Sequence, residues 1–218
     1  MIRATRVTLA LLALGTPTRA GEVGFGPLLL VNRTCMRSAD VRYTAAGRES
    51  TCEDDREPST LVGGGLLLEV PRGRLALRTG LQYAPRRFGY SISRYSGYLR
   101  LNHLEVPLQA KAAFGSGWTK VYAAAGPVVG LRLGSPSQDL PFDGERHDEW
   151  SRFDLGLRFG GGAQLDLQRF TFVMDLQYGH GLVDAYAGSN FVDRARGLHF
   201  TLALTRRIGE RKEARHAE

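Results

Sequence analysis

Residues 152–166 read RFDLGLRFGGGAQLD, in which Phe153, Leu155, Leu157 and Phe159 alternate with Asp154, Gly156, Arg158 and Gly160. A period of two sends the two sets to opposite faces of an extended chain. The pattern is not local. It recurs over residues 22–33, 60–70, 74–85, 99–113, 119–133, 152–167, 169–179 and 196–206. Each of these eight segments reads as a strand, and no long segment keeps a helical apolar period.

The connections fall into two classes that alternate along the chain. PRGR, FGSGW and LQR are tight turns, whereas 34–59, 86–98, 134–151 and 180–195 are long and polar. An up-and-down meander follows, with tight turns at one end and four long loops at the other. Strands that cross a bilayer at a tilt need about 9–11 residues, which these segments supply.

The two faces differ in chemistry. Leu75, Leu77, Leu81 and Tyr83 share one face, as do Leu104, Val106 and Leu108, then Phe170, Phe172, Met174, Leu176 and Tyr178, then Leu198, Phe200, Leu202 and Leu204. Opposite them stand Glu69, Arg78, Gln82, Glu105, Gln109, Lys111, Arg132, Asp154, Arg158, Gln164, Asp166, Asp175 and Gln177. Acids and bases nearly balance there, among Gly80, Gly126, Gly130, Gly156, Gly160 and Gly162. Balanced charge among small residues suits a crowded interior better than a free water surface. Aromatic residues collect at both strand ends: Phe114, Trp118, Phe170 and Phe172 by the turns, and Tyr83, Phe88, Tyr98, Trp150, Phe153 and Tyr178 toward the loops. They read as two interfacial girdles. The expected fold is all-β, an eight-stranded antiparallel up-and-down transmembrane β-barrel. Its interior charge network is expected to comprise Arg78, Glu105, Lys111, Arg132, Asp154, Arg158, Asp166 and Asp175, paired because lone buried charges are costly.

The first twenty residues place Arg3 and Arg6 before a short apolar run from Val7 to Leu14, then small residues to Ala20. This is a secretory signal pattern, too short for a membrane helix. The expected organisation is a signal peptide over 1–20, a barrel over 21–209 and a charged tail over 210–218. Removing the signal lowers the formal charge from +7 to about +4. No basic run interleaves with aromatics, so no nucleic-acid partner is expected. In an exported chain, the cysteine pair Cys35 and Cys52 is expected to form a disulfide, stabilising by roughly 3 kcal/mol.

Other signals are weaker. The sequon Asn32-Arg33-Thr34 reads as a strand end, and the acids of CEDDRE (52–57) as a solvated loop tip. His103, His147 and His199 stand singly, so no metal site is expected, nor any cofactor. His180, Asp184 and Ser189 are the types a hydrolase uses. They fit no hydrolase motif, so catalytic residues are not expected.

The segments LEVPLQAKAAFG (104–115), YAAAGPVVGLRLG (122–134), FDLGLRFGGGAQLDL (153–167) and LQYGHGLVDA (176–185), in this order, resemble the PorT-like outer-membrane β-barrel family, among the small OmpX- and OmpW-like barrels of the porin families. The resemblance implies an outer-membrane barrel of a Gram-negative cell with its amino terminus and tight turns in the periplasm. Some relatives serve in protein secretion. The final LTRRIG departs from the aromatic on which such barrels usually close. The expected function is a structural or interaction barrel that displays four extracellular loops and has no wide pore, since eight strands enclose little more than their own side chains. The alternatives are an accessory component of a secretion system, a lipid-modifying barrel enzyme, and a soluble lipocalin-like ligand binder. The expected partners are outer-membrane lipid and envelope or secretion proteins meeting the loops or turns. The barrel is expected to be a monomer.

Overall fold

The computed structural model describes residues 23–38, 42–45, 48–51, 59–92, 95–138, 151–183 and 193–209. The signal segment, Cys52, the acids of CEDDRE and the charged tail lie outside the described residues, so the predicted Cys35–Cys52 bond does too. The described strands are β1 (Val23–Ser38), β2 (Arg42–Ala45), β3 (Arg48–Thr51), β4 (Ser59–Arg72), β5 (Leu75–Ile92), β6 (Tyr95–Phe114), β7 (Thr119–Gln138), β8 (Phe153–Leu167), β9 (Phe170–Gly181) and β10 (Asp193–Ile208). Eight of them close into one antiparallel barrel in the order β1-β10-β9-β8-β7-β6-β5-β4, and β2–β3 form a separate hairpin within the first long connection. Closure joins the two ends of the chain's meander, with Val23 opposite Ile208. It removes every free sheet edge from the apolar zone, where no water could satisfy backbone groups.

All eight alternating segments are barrel strands, but most of them run further at the end of the long connections. Residues 86–98, read as a loop, continue β5 and β6 and pair from Phe88↔Leu99 to Ile92↔Tyr95. Likewise β1 passes straight through the Asn32 sequon to Ser38, so that motif does not end a strand. Beyond the apolar belt both faces meet polar surroundings, and the alternation that reveals a strand in sequence fades. The hydrogen-bond ladder does not need it and continues.

The apolar face points outward. Leu77, Leu81, Val106, Leu108, Leu157, Phe159, Met174, Leu176, Leu198 and Leu204 are exposed, whereas Glu105, Lys111 and Asp175 are fully enclosed. Phe114 and Trp118 stand exposed at the turn end and Phe153 at the other. Among the described residues no helix is long and apolar enough to cross a membrane; the crossing belongs to the strands.

The interior is not wholly polar. Leu28 and Leu30 on β1 and Leu67 on β4 are buried in the lumen beside Val173 and Ala203. Leu28 stands opposite Gly65 and Leu30 opposite Gly63, so the leucines fill space that the glycines leave. The glycines do more than save volume. A Cβ on Gly65 would come 2.0 Å from the Leu81 carbonyl oxygen, and one on Gly160 would come 2.2 Å from that of Leu176. At such inward positions the neighbouring backbone bends across the glycine, turning a corner that no larger residue permits.

Candidate functional site

The lumen is the place where this fold concentrates its chemistry. Inward positions of β5 to β8 carry most of the charge, and successive layers stack from the turn end to the connection end.

At the turn end, Asp166 receives Lys120 Nζ at 2.8 Å and Arg207 Nη2 at 2.6 Å, and its Oδ1 accepts from Thr171 Oγ1 at 3.0 Å. One step deeper, Lys111 Nζ donates to both oxygens of Glu69, at 2.8 and 2.9 Å, and to Gln164 Oε1. Its ammonium also sits 4.2 Å from the centre of the Tyr122 ring, a favourable cation–π placement. Glu69, Lys111, Gln164, Asp166, Lys120 and Arg207 line a cavity of about 210 Å³ that opens between the turns.

In the middle of the barrel Arg78 pairs with Asp175 across the lumen. Tyr122 Oη donates to the same carboxylate at 2.9 Å. Beside them Gln109 Nε2 donates to Gln177 Oε1 at 2.8 Å.

Nearer the connections, Glu105 on β6 accepts one guanidinium on each oxygen: Arg86 Nη2 at 2.6 Å and Arg158 Nη2 at 2.6 Å. Arg86 reaches on to Asp154 at 2.7 Å, and Arg158 Nη1 donates to Gln82 at 3.0 Å. His199 Nδ1 lies 2.7 Å from Asn32 Oδ1, and His103 is buried in the same region. Charge-assisted bonds of this length, with both carboxylate oxygens used, are the geometry that offsets burial of an ion.

Of the eight charges named from sequence, Arg78 with Asp175 and Arg158 with Glu105 form two direct pairs. Lys111, Asp154 and Asp166 instead take Glu69, Arg86 and the Lys120–Arg207 couple as partners. Arg132 stands opposite His103 in the β6–β7 register. The missed members share a readable signal. Arg86 lies four alternate positions beyond Arg78 on β5, but on a stretch read as loop. Lys120 and Arg207 are the first and last inward positions of their strands. Asn32, read as part of a strand end, and His199, read as standing singly, meet because β1 and β10 close the barrel.

The hydrolase-like residues do not gather. His180 occupies an outward position on β9, between enclosed Gln177 and Gly181 on the inward set; Asp184 and Ser189 lie outside the described residues. Among the described residues, no group of three or more His, Cys, Asp or Glu side chains could hold a metal ion.

A family model described as outer membrane protein beta-barrel domain matches residues 44–187. Among solved structures, the chain is similar to the crystal structure of Neisserial surface protein A (NspA), with a TM-score of 0.44 and 11% sequence identity over 82% of this chain and 96% of that one. No curated protein matches it.

Proposed function

The chain belongs to the outer membrane protein beta-barrel domain family and resides in the bacterial outer membrane, and from that premise we propose that it is a closed structural or interaction barrel without a wide pore. The observation that carries this reading is the double bond of Glu105 to Arg86 and Arg158, which joins β5, β6 and β8 through the lumen. With Arg78–Asp175 below it, the lumen is crossed at two heights by paired side chains. An eight-stranded barrel has little further room.

In this proposal the barrel has no catalytic residues and its interior charges are its core. Its lipid contacts come from the apolar belt, and envelope or secretion proteins meet it at the connections or turns. The finer PorT-like assignment belongs to the same proposal and rests on the four segments quoted above. Planar-bilayer recording on the purified, refolded protein tests it. The expected trace has no stable open level; a steady, ohmic, water-filled conductance overturns the closed-barrel reading.

A further inference from the structure

Outward positions on a membrane barrel face lipid, and an unpartnered cation there calls for an explanation. On β1 the outward residues run Phe25, Pro27, Leu29, Val31 and then Arg33; on β10 they run Leu204, Leu202, Phe200, Leu198 and then Arg196; on β9 they run Phe170, Phe172, Met174, Leu176, Tyr178 and then His180. On all three adjacent strands the first polar outward residue beyond the apolar belt is therefore a base. Arg196 lies directly opposite His180. It also faces Cys35, which puts Arg33 on the diagonal, a separation of about 7–8 Å that long side chains bridge easily.

Among the described residues nothing acidic answers them. The outward positions of described β1, β9 and β10 contain no Asp or Glu along their whole length. Among the described residues Arg33, Arg196 and His180 make no hydrogen bond or ion pair, and Arg196 Nε is buried without an acceptor. By contrast, the inward cations Arg78, Arg86, Lys111, Lys120, Arg158 and Arg207 each meet a carboxylate. Across the barrel at the same end, β7 and β8 carry Leu131, Leu133, Phe153 and Leu155 outward, while β5 and β6 carry Arg87 opposite Arg100, so the outward bases of this rim form two patches and not a uniform ring.

We propose that Arg33, Arg196 and His180 form a binding site on the outer wall for the phosphate of a phosphorylated glycolipid of the outer leaflet. The position is that of a headgroup, one outward step above the last apolar residue. The donor set fits phosphate: two guanidiniums present planar pairs of N–H groups, and an imidazole adds one more donor. Acyl chains of the bound lipid would then lie along Val31, Leu198, Tyr178 and Leu176. The proposal rests on the outer-membrane reading and on the long connections facing out of the cell.

Native mass spectrometry of the full-length mature protein in detergent tests the site, with bisphosphorylated lipid A, enzymatically dephosphorylated lipid A and phosphatidylglycerol as probes. The wild type is expected to retain the bisphosphorylated lipid at least tenfold more strongly than the dephosphorylated one. Arg33→Gln with Arg196→Gln is expected to abolish that preference, whereas Arg72→Gln with Arg206→Gln, at the opposite rim, leaves it intact. Heat-modifiable gel migration reports whether each variant is folded; should the glutamine pair misfold, Arg33→Lys with Arg196→Lys is expected to fold and to weaken retention in part. Equal retention by the folded glutamine pair, or of the dephosphorylated lipid, overturns the site. Equal loss in the opposite-rim pair reduces it to general charge attraction and also overturns it. Phosphatidylglycerol held as tightly as lipid A overturns the outer-leaflet source. A conducting barrel that still shows the preference would sink the closed-barrel proposal and leave this site standing.

Discussion

The two ends of the lumen use the same chemistry under opposite conditions. Near the connections, Glu105 is fully enclosed and its partners Arg86 and Arg158 are 11% and 5% exposed. At the turns, Lys120 and Arg207 are each 32% exposed around Asp166 and border a cavity of about 210 Å³. Both ends carry two cations on one carboxylate. Burial, not the count of ion pairs, sets what each is worth: in a dry site a lost partner leaves uncompensated charge, while at an open site water replaces it. The first cluster closes the barrel, and the second trims its mouth.

The strongest way to break this contrast is to remove the shared acceptor. Glu105→Ala leaves two guanidiniums facing each other in an enclosed site and is expected to cost about 3–5 kcal/mol. Urea titration in lipid vesicles measures it, with the exposed Trp118 as a fluorescence reporter. A loss below 1 kcal/mol would mean that water reaches Glu105, and that the lumen is open there.

A second substitution asks whether the inside and the outside differ as sharply as the two ends do. Leu157 and Arg158 are successive residues of β8, one 44% exposed on the outer wall and the other 4% exposed in the lumen. Leu157→Arg places on the lipid side the side chain that its neighbour carries inside. It is expected to cost about 2 kcal/mol, the lower end of the range for arginine in a barrel's apolar band, because Leu157 is only the third outward position from the end of β8. The same titration checks it. Full tolerance would remove Leu157 from the lipid face.

Much of this architecture is legible in the sequence, because a barrel between lipid and a polar lumen imposes its period on every strand. Residues such as Phe153, Asp154, Leu155 and Arg158 declare their faces by parity alone. Legibility fails where the two environments stop differing. Above the apolar belt, Phe88 and Tyr98 sit on strands that sequence presents as loop, and Arg86 is lost with them. It fails again at Leu28-Leu29-Leu30-Val31, where four apolar residues in a row carry no alternation; only the register with Gly63 and Gly65 turns Leu28 and Leu30 inward. Partners across the lumen are the least readable of all. Arg78 and Asp175 are 97 residues apart, and parity tells that both point inward but not that they meet. Glycines such as Gly160 look like small fillers in sequence and prove to be corners, since the approaching carbonyl belongs to another strand.

The smallest expected effect lies at the mouth. Lys120→Ala removes one of the two cations on Asp166, leaving Arg207 at 2.6 Å and the Thr171 hydroxyl at 3.0 Å. The carboxylate keeps two partners and gains water from the cavity, so the expected cost is at most about 1 kcal/mol. The lysine's contribution is also expected to shrink as salt rises, since charges open to solvent are screened within about 8–10 Å at ordinary ionic strength. Urea titrations at low and high salt measure both effects, and the wild type and variant are expected to converge at high salt. The Glu105→Ala deficit is expected to persist under the same change, because salt ions from solution do not reach its enclosed site. If Lys120→Ala costs as much as Glu105→Ala, or if both deficits respond alike to salt, then exposure does not separate the two clusters, and the lumen is one uniform polar core from end to end.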